Sequence, residues 1–283
     1  MTAAALPCLF ESVPMPADAH PDAVEAWTAT EYARGPWDPR HCHGGPVSAL
    51  LARQCERAPT GDSDWLIARF TIELTRPVPV GSPLTMTTEI ERPGRKVSLV
   101  AASLWSGGTE IAKVRALRIR HREFALAPHP LAPPELDGVP GEGTHERLAW
   151  AIDSEAIAFH SHGSEHRIVE GSWNDAGPVK LWIRLAVDLV PGEAPSGLQR
   201  VAAAADFGNG VSSSISYEDY LYINPDLTVH LAREPQGEWI GMSSHSLYGT
   251  TSTSSGVGFA ESALHDEAGR LGRSVQSLFV DPR

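Results

Sequence analysis

Features that mark several large functional classes are missing from this sequence. Acidic residues outnumber basic ones by 35 to 23, a formal charge of −12, so the chain lacks the basic surface that nucleic-acid binding requires. Its 3 cysteines show no C-x-x-C spacing, which argues against the common zinc motifs and favours a reducing, cytoplasmic setting. The P-loop and the dinucleotide-binding glycine motif are absent too. We therefore expect no metal ion, no cofactor and no nucleic-acid partner.

Signals for membrane association are missing as well. The first residues, MTAAALPCLFESVPMPADAH, have no positively charged start, and acids and prolines soon interrupt the apolar stretch, so they are not typical of a signal peptide. No uninterrupted apolar run reaches the roughly 18 residues that a membrane-spanning helix needs. We therefore expect no membrane partner.

A stretch near the middle of the chain divides the sequence. Residues 126–145 combine prolines, glycines and acids without hydrophobic periodicity, which is typical of a connection between packed units. The pattern predicts an N-terminal unit (1–125), a linker (126–145) and a C-terminal unit (146–283). A chain of 283 residues is long enough for both units to have a hydrophobic core.

Both units show the same order of elements. In the first, residues 43–58 (HGGPVSALLARQCERA) place Pro46 at a helix start and are apolar on most sides, which predicts a helix enclosed by other structure. Four strand-like segments follow it: WLIARFTIELT, SPLTMTTEIER, KVSLVAASLWSG and TEIAKVRALRIR. The second unit repeats this order with a helix in residues 196–210 (SGLQRVAAAADFGNG). The strand-like segments that follow it are SSISYEDYLYI, DLTVHLARE, EWIGMSSHSLYG, GVGFAESALHD and GRSVQSLFVD.

One strand is written almost twice. FTIELTRP (70–77) and LTVHLAREP (227–235) align Thr71 with Thr228, and a later pair of strands aligns Val114 with Val275. Amphipathic strands match each other by chance, because all of them alternate with period two. Helix order, turn positions and strand lengths also agree between the units, however, and this favours a duplication.

The duplicated pattern resembles the double-hotdog acyl-CoA thioesterases, of the acyl-CoA thioesterase II type and their thioesterase-like relatives. The segments that carry the resemblance are HGGPVSALLARQ, FTIELTRPVPVG, ERPGRKVSLVAASL, AAAADFGNG, DLTVHLAREPQGEW, TSTSSGVGFAESALHDEAGRL and SVQSLFV. The resemblance implies an α+β double hotdog, in which two tandem units each wrap a curved antiparallel sheet around a central helix. It also implies acyl-thioester chemistry where the two units meet, with acyl-CoA as the substrate.

Three residues match the catalytic pattern that the resemblance implies. An aspartate opens the strand after the second helix, a Thr or Ser lies in a T-S-x-S-S-like segment, and a glutamine lies in the last strand; here these are Asp226, Thr251 and Gln276. Thioester hydrolysis needs an activated water molecule, and a carboxylate with neutral hydrogen-bonding neighbours can hold and activate it. All three residues are therefore chemically suitable. Asp226 also suits a turn after Pro225, and Gln276 also suits a buried amide bonded to backbone. Thr250, Ser252 and Thr253 are alternatives to Thr251.

The first unit differs at the corresponding positions. The alignment places Arg69 opposite Asp226 and Arg115 opposite Gln276. A guanidinium stays protonated and cannot act as a general base. We therefore predict that only the second unit carries the carboxylate of an active site.

Residues at the start of the first helix are candidates for substrate binding. His43, Gly44 and Gly45 precede Pro46, and backbone N–H groups at a helix N-terminus can stabilise an oxyanion. The two glycines are also suited to close contact between helix and sheet. His43 fits a structural or substrate-lining role better than that of a base, since no Ser or Cys partner is evident.

Other candidates are less specific. Asp206 matches a helix aspartate of the family, and it suits either orientation of a neighbour or capping of the helix end. Coenzyme A carries phosphates, so local cations are needed. The candidates are one cluster of Arg92, Arg95 and Lys96 and another of Arg34, Arg40 and His41. The segment Tyr222–Asp226 resembles part of a hydratase motif, but that motif requires an acidic residue at the position that Tyr222 occupies here.

The sequence thus supports two functions. The first is an acyl-CoA thioesterase in which Asp226, helped by Thr251 and Gln276, activates water. The second is an acyl-thioester-binding protein, or a pathway enzyme on the same scaffold, that does not hydrolyse its ligand, because a fold outlasts its catalytic residues. Both a monomer and a homo-oligomer are compatible with this organisation.

Overall fold

A computed structural model of the protein describes residues 7–59, 61, 64–127, 130, 136, 138–146, 148, 156–250 and 252–283. Within this part of the chain the N-terminal unit contains strands β1 (Phe10–Ser12), β2 (Glu25–Ala29), β3 (Trp65–Leu74), β4 (Pro83–Arg92), β5 (Val97–Ser106) and β6 (Thr109–Arg120), with helix α1 (Gly44–Arg57) between β2 and β3. A 3-10 turn, Glu31–Ala33, follows β2.

The C-terminal unit has the same plan. It contains strands β7 (Ser164–Glu170), β8 (Val179–Leu185), β9 (Tyr220–Ile223), β10 (Asp226–Leu231), β11 (Ile240–Leu247), β12 (Val257–Asp266) and β13 (Gly269–Pro282). Helix α2 (Gly197–Ala205) and the short helix α3 (Gly208–Val211) lie between β8 and β9, and a π-helical turn, Phe159–Gly163, precedes β7.

In the described residues these strands form one antiparallel sheet with mirrored halves. The order is β1-β2-β4-β5-β6-β3 and then β10-β13-β12-β11-β8-β7, with β9 paired to β13. The halves join where β3 pairs with β10, and Thr71 lies directly opposite Thr228 there, with their hydroxyls 3.1 Å apart. The aligned threonines thus lie at the pseudo-twofold centre of the sheet, and the predicted α+β double hotdog is confirmed. The unit boundaries at 126 and 145 stay a prediction.

Helices α1 and α2 pack against each other in opposite directions on the concave side of the sheet. Every residue from Gly45 to Cys55 in α1 is buried, in agreement with the enclosed helix expected from its apolar faces. Helix α2 is rich in alanine, which lets the two backbones approach closely, and its N-cap Ser196 accepts the Gln199 N–H. Arg53, buried in α1, binds Glu25 and Glu193 and so ties both units together.

The structure adds strands that the sequence pattern did not predict. In each unit two strands precede the helix, β1 and β2 in the first and β7 and β8 in the second. Conversely, only Tyr220–Ile223 of the strand-like segment SSISYEDYLYI is a strand. No helix in the described residues has the length and apolar character that a membrane crossing would need.

Candidate active site

A buried carboxylate, that of Asp206, lies at the junction of the two units and has side chains from three elements around it. Asp206 is the C-cap residue of α2, and its side chain is 4% exposed. Oδ1 accepts a hydrogen bond of 2.8 Å from Asn224 Nδ2, and Oδ2 lies 2.9 Å from His43 Nδ1. Gln276 Nε2 lies 3.4 Å from Oδ1. Three side chains from separate elements therefore converge on one buried carboxylate.

Gln276 is held rigidly on the concave face of β13. Its Oε1 accepts the backbone N–H of Asn209 at 3.0 Å, and its Nε2 donates to the backbone oxygen of Asp206 at 3.1 Å. The residue is 1% exposed, and a Cβ atom on Gly208 would lie 2.7 Å from Oε1. Gln276 is thus bonded to backbone, as one of the two sequence interpretations held, and it lies beside a carboxylate as well.

Asn224 lies between β9 and β10. Its Nδ2 also lies 3.4 Å from the backbone oxygen of Asp226. The following Pro225 restricts the backbone of Asn224 to an extended conformation. The amide is therefore presented to Asp206 from the sheet side, while His43 approaches from the helix side.

His43 makes two contacts with the same ring nitrogen. As the N-cap residue of α1, it accepts the Gly45 N–H on Nδ1 at 3.0 Å, and Nδ1 is also 2.9 Å from Asp206 Oδ2. A ring nitrogen accepts only when it carries no hydrogen and donates only when it carries one. The proton between His43 and Asp206 therefore decides whether Gly45 N–H is bonded to the ring or free for another acceptor.

The two glycines at the start of α1 are needed for space. A Cβ atom on Gly44 would lie 2.7 Å from Asp206 Oδ2, and one on Gly45 would lie 2.5 Å from the backbone oxygen of Ala203. Close contact therefore explains both glycines, as one sequence interpretation expected. Gly44 also borders the cavity beside the site, so its N–H group, which as the first of the helix has no intrahelical acceptor, lies next to that cavity.

A cavity of about 400 Å³ opens beside Asp206. One part has mostly apolar walls from both units, and the other part reaches exposed residues after β3. The residues that line the cavity include Arg76, Val47, Leu148, His160, Trp173 and Phe207, together with His43, Gly44, Asp206 and Asn224. The volume is within the range of small-molecule sites, and the site therefore has room for a substrate group next to the carboxylate.

The structure does not bring Asp226 to Gln276. In β10 the side chains of Leu227, Val229 and Leu231 are buried on the concave face, so Asp226 lies on the opposite, convex face. Its Oδ1 accepts the Ser277 N–H at 2.6 Å. Gln276 belongs to the concave face of its own strand, and the two side chains are therefore separated by the sheet.

Thr251, the third catalytic candidate from the sequence, lies outside the described residues. Its neighbours Thr250 and Thr253 are exposed and bond to each other, with 2.7 Å between their hydroxyls. They line a different surface cavity from the one beside Asp206. The structure thus places the described hydroxyls of this loop away from the carboxylate.

The register of the sheet corrects the alignment of the first unit. Thr71 pairs with Arg115, whereas Thr228 pairs with Val275, so the structural counterpart of Gln276 is Ala116 and not Arg115. A slip of one residue moves a side chain to the other face of a sheet. Arg115 is accordingly exposed and bonded to Glu91, and Ala116 is buried.

The geometry brings forward two residues that the sequence pattern makes less prominent, Asp206 and Asn224. Asp206 matches a helix aspartate of the family, and Asn224 belongs to the segment that resembles part of a hydratase motif. The Asp-Phe-Gly-Asn-Gly end of the alanine-rich helix is the available signal for Asp206, because a polar residue there ends an otherwise buried helix. Nothing in the spacing of the sequence indicates that the side chain of Asn224 contacts Asp206.

Aromatic rings pack behind the site. The Phe207 ring lies 4.6 Å from His43 and 5.4 Å from Phe159, measured between ring centroids. Burial lowers the pKa of His160 to about 4, with smaller contributions from His43 and His162. Burial also lowers the pKa of His166, whose Nε2 lies 2.9 Å from Ser164 Oγ. Both rings are therefore neutral at pH 7.

The cation clusters proposed for coenzyme A differ in availability. Arg40 is held by Asp38 in two hydrogen bonds of 3.0 and 2.7 Å. Arg92 ends β4, Arg95 and Lys96 lie in the turn before β5, and none of the three lines the cavity. Arg76, which the sequence analysis did not single out for this role, does line it and is exposed. Within the described residues, no cluster of His, Cys, Asp and Glu side chains is arranged to hold a metal ion.

Two family models match this chain. Residues 33–119 match the family model of the acyl-CoA thioesterase N-terminal domain, and residues 130–280 match that of the acyl-CoA thioesterase C-terminal domain. No curated protein matches the chain.

Solved structures show a similar fold at low sequence identity. A conserved protein of unknown function with a hot dog fold from Alicyclobacillus acidocaldarius is 14% identical, with 93% of this chain and 95% of that one covered and a TM-score of 0.68. A proposed thioesterase II from Thermobifida fusca is 18% identical, with 95% and 99% covered and a TM-score of 0.66. Acyl-CoA thioesterase II TesB2 from Mycobacterium marinum is 14% identical, with 91% and 92% covered and a TM-score of 0.58.

Proposed function

Because this chain belongs to the acyl-CoA thioesterase family and is a thioester hydrolase, we propose that it hydrolyses acyl-CoA with a water molecule activated by Asp206. The observation that carries the proposal is the convergence of Asn224, Gln276 and His43 on this buried carboxylate. The carboxylate also borders the cavity and the start of α1. The proposal replaces Asp226, the base suggested by the sequence pattern.

The chemistry needs one base and one site for negative charge. Asp206 accepts a proton from water, and the water oxygen attacks the thioester carbonyl carbon. The carbon–sulfur bond then breaks and the leaving thiolate takes up the proton that Asp206 had accepted, so that the free acid and the thiol of coenzyme A are released and Asp206 is again a carboxylate. Asn224 and Gln276 donate to the carboxylate and to the surrounding backbone, and they fix its direction so that little reorganisation is needed during the reaction.

The N-terminus of α1 suits the developing oxyanion. The Gly44 N–H lies at the positive end of a 14-residue helix and borders the cavity. The Gly45 N–H becomes a second donor when His43 Nδ1 bonds to Asp206 instead. His43 therefore acts in this proposal as a positioning residue that links the base to the oxyanion donors.

Coenzyme A also needs a cation, because its phosphates are anionic. Arg76 lines the exposed part of the cavity, and no ion pair to it occurs among the described residues. The acyl group then occupies the apolar part, near Trp173 and Phe207. This orientation places the thioester between the two parts, beside Asp206.

The decisive experiment compares two aspartates. We expect Asp206→Asn to lower kcat for release of coenzyme A by a factor of about 100 to 10,000, the usual contribution of a general base. Asp226→Asn is the matched control, and we expect it to retain activity because its carboxylate lies on the convex face. Thiol release from a panel of acyl-CoAs is the measurement. Loss of activity in Asp226→Asn with full activity in Asp206→Asn would reverse the assignment.

A further inference from the structure

His160 is a buried polar residue that the proposed reaction does not use. It lies in the π-helical turn Phe159–Gly163, is 7% exposed and lines the cavity near Asp206. Its Nδ1 is fully covered and has no hydrogen-bond partner among the residues that the structure describes. His43, by contrast, makes two contacts through its Nδ1, one with the Gly45 N–H and one with Asp206 Oδ2.

This arrangement is costly for the fold. A buried polar atom without a partner destabilises a protein by about 1–3 kcal/mol, and an apolar ring of similar shape would avoid that cost. The neighbouring Phe159 shows that an aromatic hydrocarbon fits in the same turn, since it is fully buried there. Stability therefore does not account for an imidazole at position 160, whereas recognition of a ligand by the edge of the ring that borders the cavity would.

The chemistry of the ring restricts the kind of ligand. Because burial holds the pKa of His160 at about 4, the ring is neutral at pH 7 and offers one N–H donor and one acceptor. A neutral imidazole does not select a charged group, but it pairs well with a hydroxyl or a carbonyl. The walls that share this part of the cavity, Val47, Leu148, Trp173 and Phe207, are otherwise apolar or have their polar atom bonded, as in Trp173, whose Nε1 donates to Gly210.

We propose that the acyl group of the substrate carries a hydroxyl or oxo group that hydrogen-bonds to the His160 imidazole. This inference rests on the proposed function, because it assumes that the acyl group occupies the apolar part of the cavity. A site built to bond a substrate oxygen discriminates against the analogue that lacks it, since the polar partner is then left unpaired. His160 is therefore a specificity-determining residue for oxygenated acyl groups.

The test compares acyl-CoAs of equal size with and without an oxygen. The panel contains saturated acyl-CoAs, their 3-hydroxy, 3-oxo and terminally hydroxylated counterparts, and benzoyl-CoA beside hydroxybenzoyl-CoA. We expect at least one oxygenated member to exceed its plain partner about tenfold in kcat/KM, the effect of one buried hydrogen bond. His160→Phe should abolish that preference while keeping activity on the plain partner. His160→Gln, which retains a donor and an acceptor, should keep part of it.

His162→Phe is the matched control, because His162 lies in the same turn but is exposed and does not line the cavity. It should leave the preference unchanged. A wild-type protein without preference in any pair would overturn the inference, and so would an equal loss on plain and oxygenated members in His160→Phe.

A binding measurement separates this inference from the proposed function. Calorimetric titration of the Asp206→Asn protein with alkyl-CoA thioethers, with and without a hydroxyl, reports binding without hydrolysis. We expect the hydroxylated thioether to bind about tenfold more tightly and the difference to vanish when His160→Phe is added. If no thioester is hydrolysed by the wild-type protein, the proposed function fails, while this titration still decides the role of His160.

Discussion

Each end of the antiparallel helix pair brings a carboxylate to the start of the other helix, but the two ends are built differently. At one end Asp206, which caps α2, faces His43 at the start of α1. At the other end Glu56, near the end of α1, accepts Ser196 Oγ at 2.7 Å and Gln199 Nε2 at 2.8 Å at the start of α2. A cavity of about 310 Å³ lies beside Glu56 as well.

The origin of the hydrogen-bond donors separates the two ends. The side chains that donate to Glu56 come from the N-cap and first turn of the helix that it faces, and Ser196 also caps that helix by accepting the Gln199 N–H. Asp206 receives its donors from the sheet side, through Asn224 and Gln276, and the first unit has Ala116 at the position of Gln276. A carboxylate at a helix junction is thus common to both ends of the helix pair. Amides from the sheet distinguish the two ends.

The largest expected effect separates the two carboxylates directly. Asp206→Asn should lower kcat by a factor of about 100 to 10,000, whereas Glu56→Gln should leave kcat within a factor of about three, because only Asp206 is proposed to meet the substrate. The amide of Gln keeps the shape of Glu56 and one oxygen that can accept from Ser196 or Gln199. Steady-state kinetics on one acyl-CoA measures both variants. A large loss of kcat in Glu56→Gln would mean that the two ends share the chemistry.

The second prediction concerns the amide from the sheet. Gln276→Ala makes β13 resemble β6, where Ala116 occupies the equivalent position. We expect kcat to fall about 10- to 100-fold, since Asp206 loses an orienting donor and the Asn209 N–H loses its acceptor. Ser277→Ala, on the convex face of the same strand, is the matched control. Equal kinetics in the two variants would remove Gln276 from the site.

These two predictions also show which parts of the site were accessible from the sequence. The duplicated order of helix and strands was readable because turns, amphipathic strands and an enclosed helix leave strong local patterns. Gln276, His43 and Gly44 lie close to Asp206 where the two units meet, and their part in an active site stays a prediction. Asp226 and Arg115 were not placed correctly, because period-two patterns specify which residues share a face but a slip of one position exchanges the faces.

Asn224 shows a different limit. It lies in the short segment between β9 and β10, and its role depends on the end of α2 approaching that segment in space. Neither hydrophobic periodicity nor turn chemistry encodes such a contact. The strands β1 and β2 were missed for a related reason, since segments of three and five residues are too short to show alternation.

The third prediction tests the close contact at the start of α1. Gly44→Ala would place a Cβ atom 2.7 Å from Asp206 Oδ2, so the helix start and the carboxylate must separate. We expect a loss of about 1–3 kcal/mol in the free energy of unfolding together with a loss of activity. Gly210→Ala in α3 is the matched control, because no atom lies within 4 Å of the added Cβ. Urea unfolding of both variants measures the difference.

If Gly44→Ala is as stable and as active as Gly210→Ala, the start of α1 is not in contact with Asp206 in solution. The comparison of the two helix ends would then lose its basis, because His43 and Gly44 are the residues that join α1 to the carboxylate.

The fourth prediction uses acid to distinguish the two units. Among the described residues, the buried histidines His160, His166 and His265 all lie in the second unit. Burial lowers the folded-state pKa of His166 below its usual 6.5, so only the unfolded chain takes up its proton as the pH falls below that value. The contribution of His166 to the free energy of unfolding is therefore fully present above pH 6.5. It is lost on acidification, by up to about 1.4 kcal/mol per pH unit.

Replacing His166 by Gln should reduce the slope of the free energy of unfolding against pH by the amount that corresponds to about one proton. The measurement is urea unfolding at pH 7, 6 and 5 for the wild-type protein and the variant. His121→Gln, an exposed histidine of the first unit, is the control and should keep the wild-type slope. An unchanged slope in His166→Gln would show that its ring is not neutral and buried in solution.

The smallest expected effect concerns the exposed cation at the cavity beside Asp206. Arg76 is exposed at the cavity beside Asp206, so Arg76→Ala should raise KM for acyl-CoA about three- to tenfold and leave kcat nearly unchanged. A thioester of N-acetylcysteamine has no phosphates, and its KM should not change, since a guanidinium gains little from a neutral ligand. Arg92→Ala removes an equally exposed charge away from the cavity and should have no effect on either substrate. Salt screens the attraction between exposed charges, so the KM difference between Arg76→Ala and the wild-type protein should also shrink at high ionic strength. If the KM difference is instead the same for both thioesters, Arg76 contributes to the shape of the cavity and not to phosphate binding.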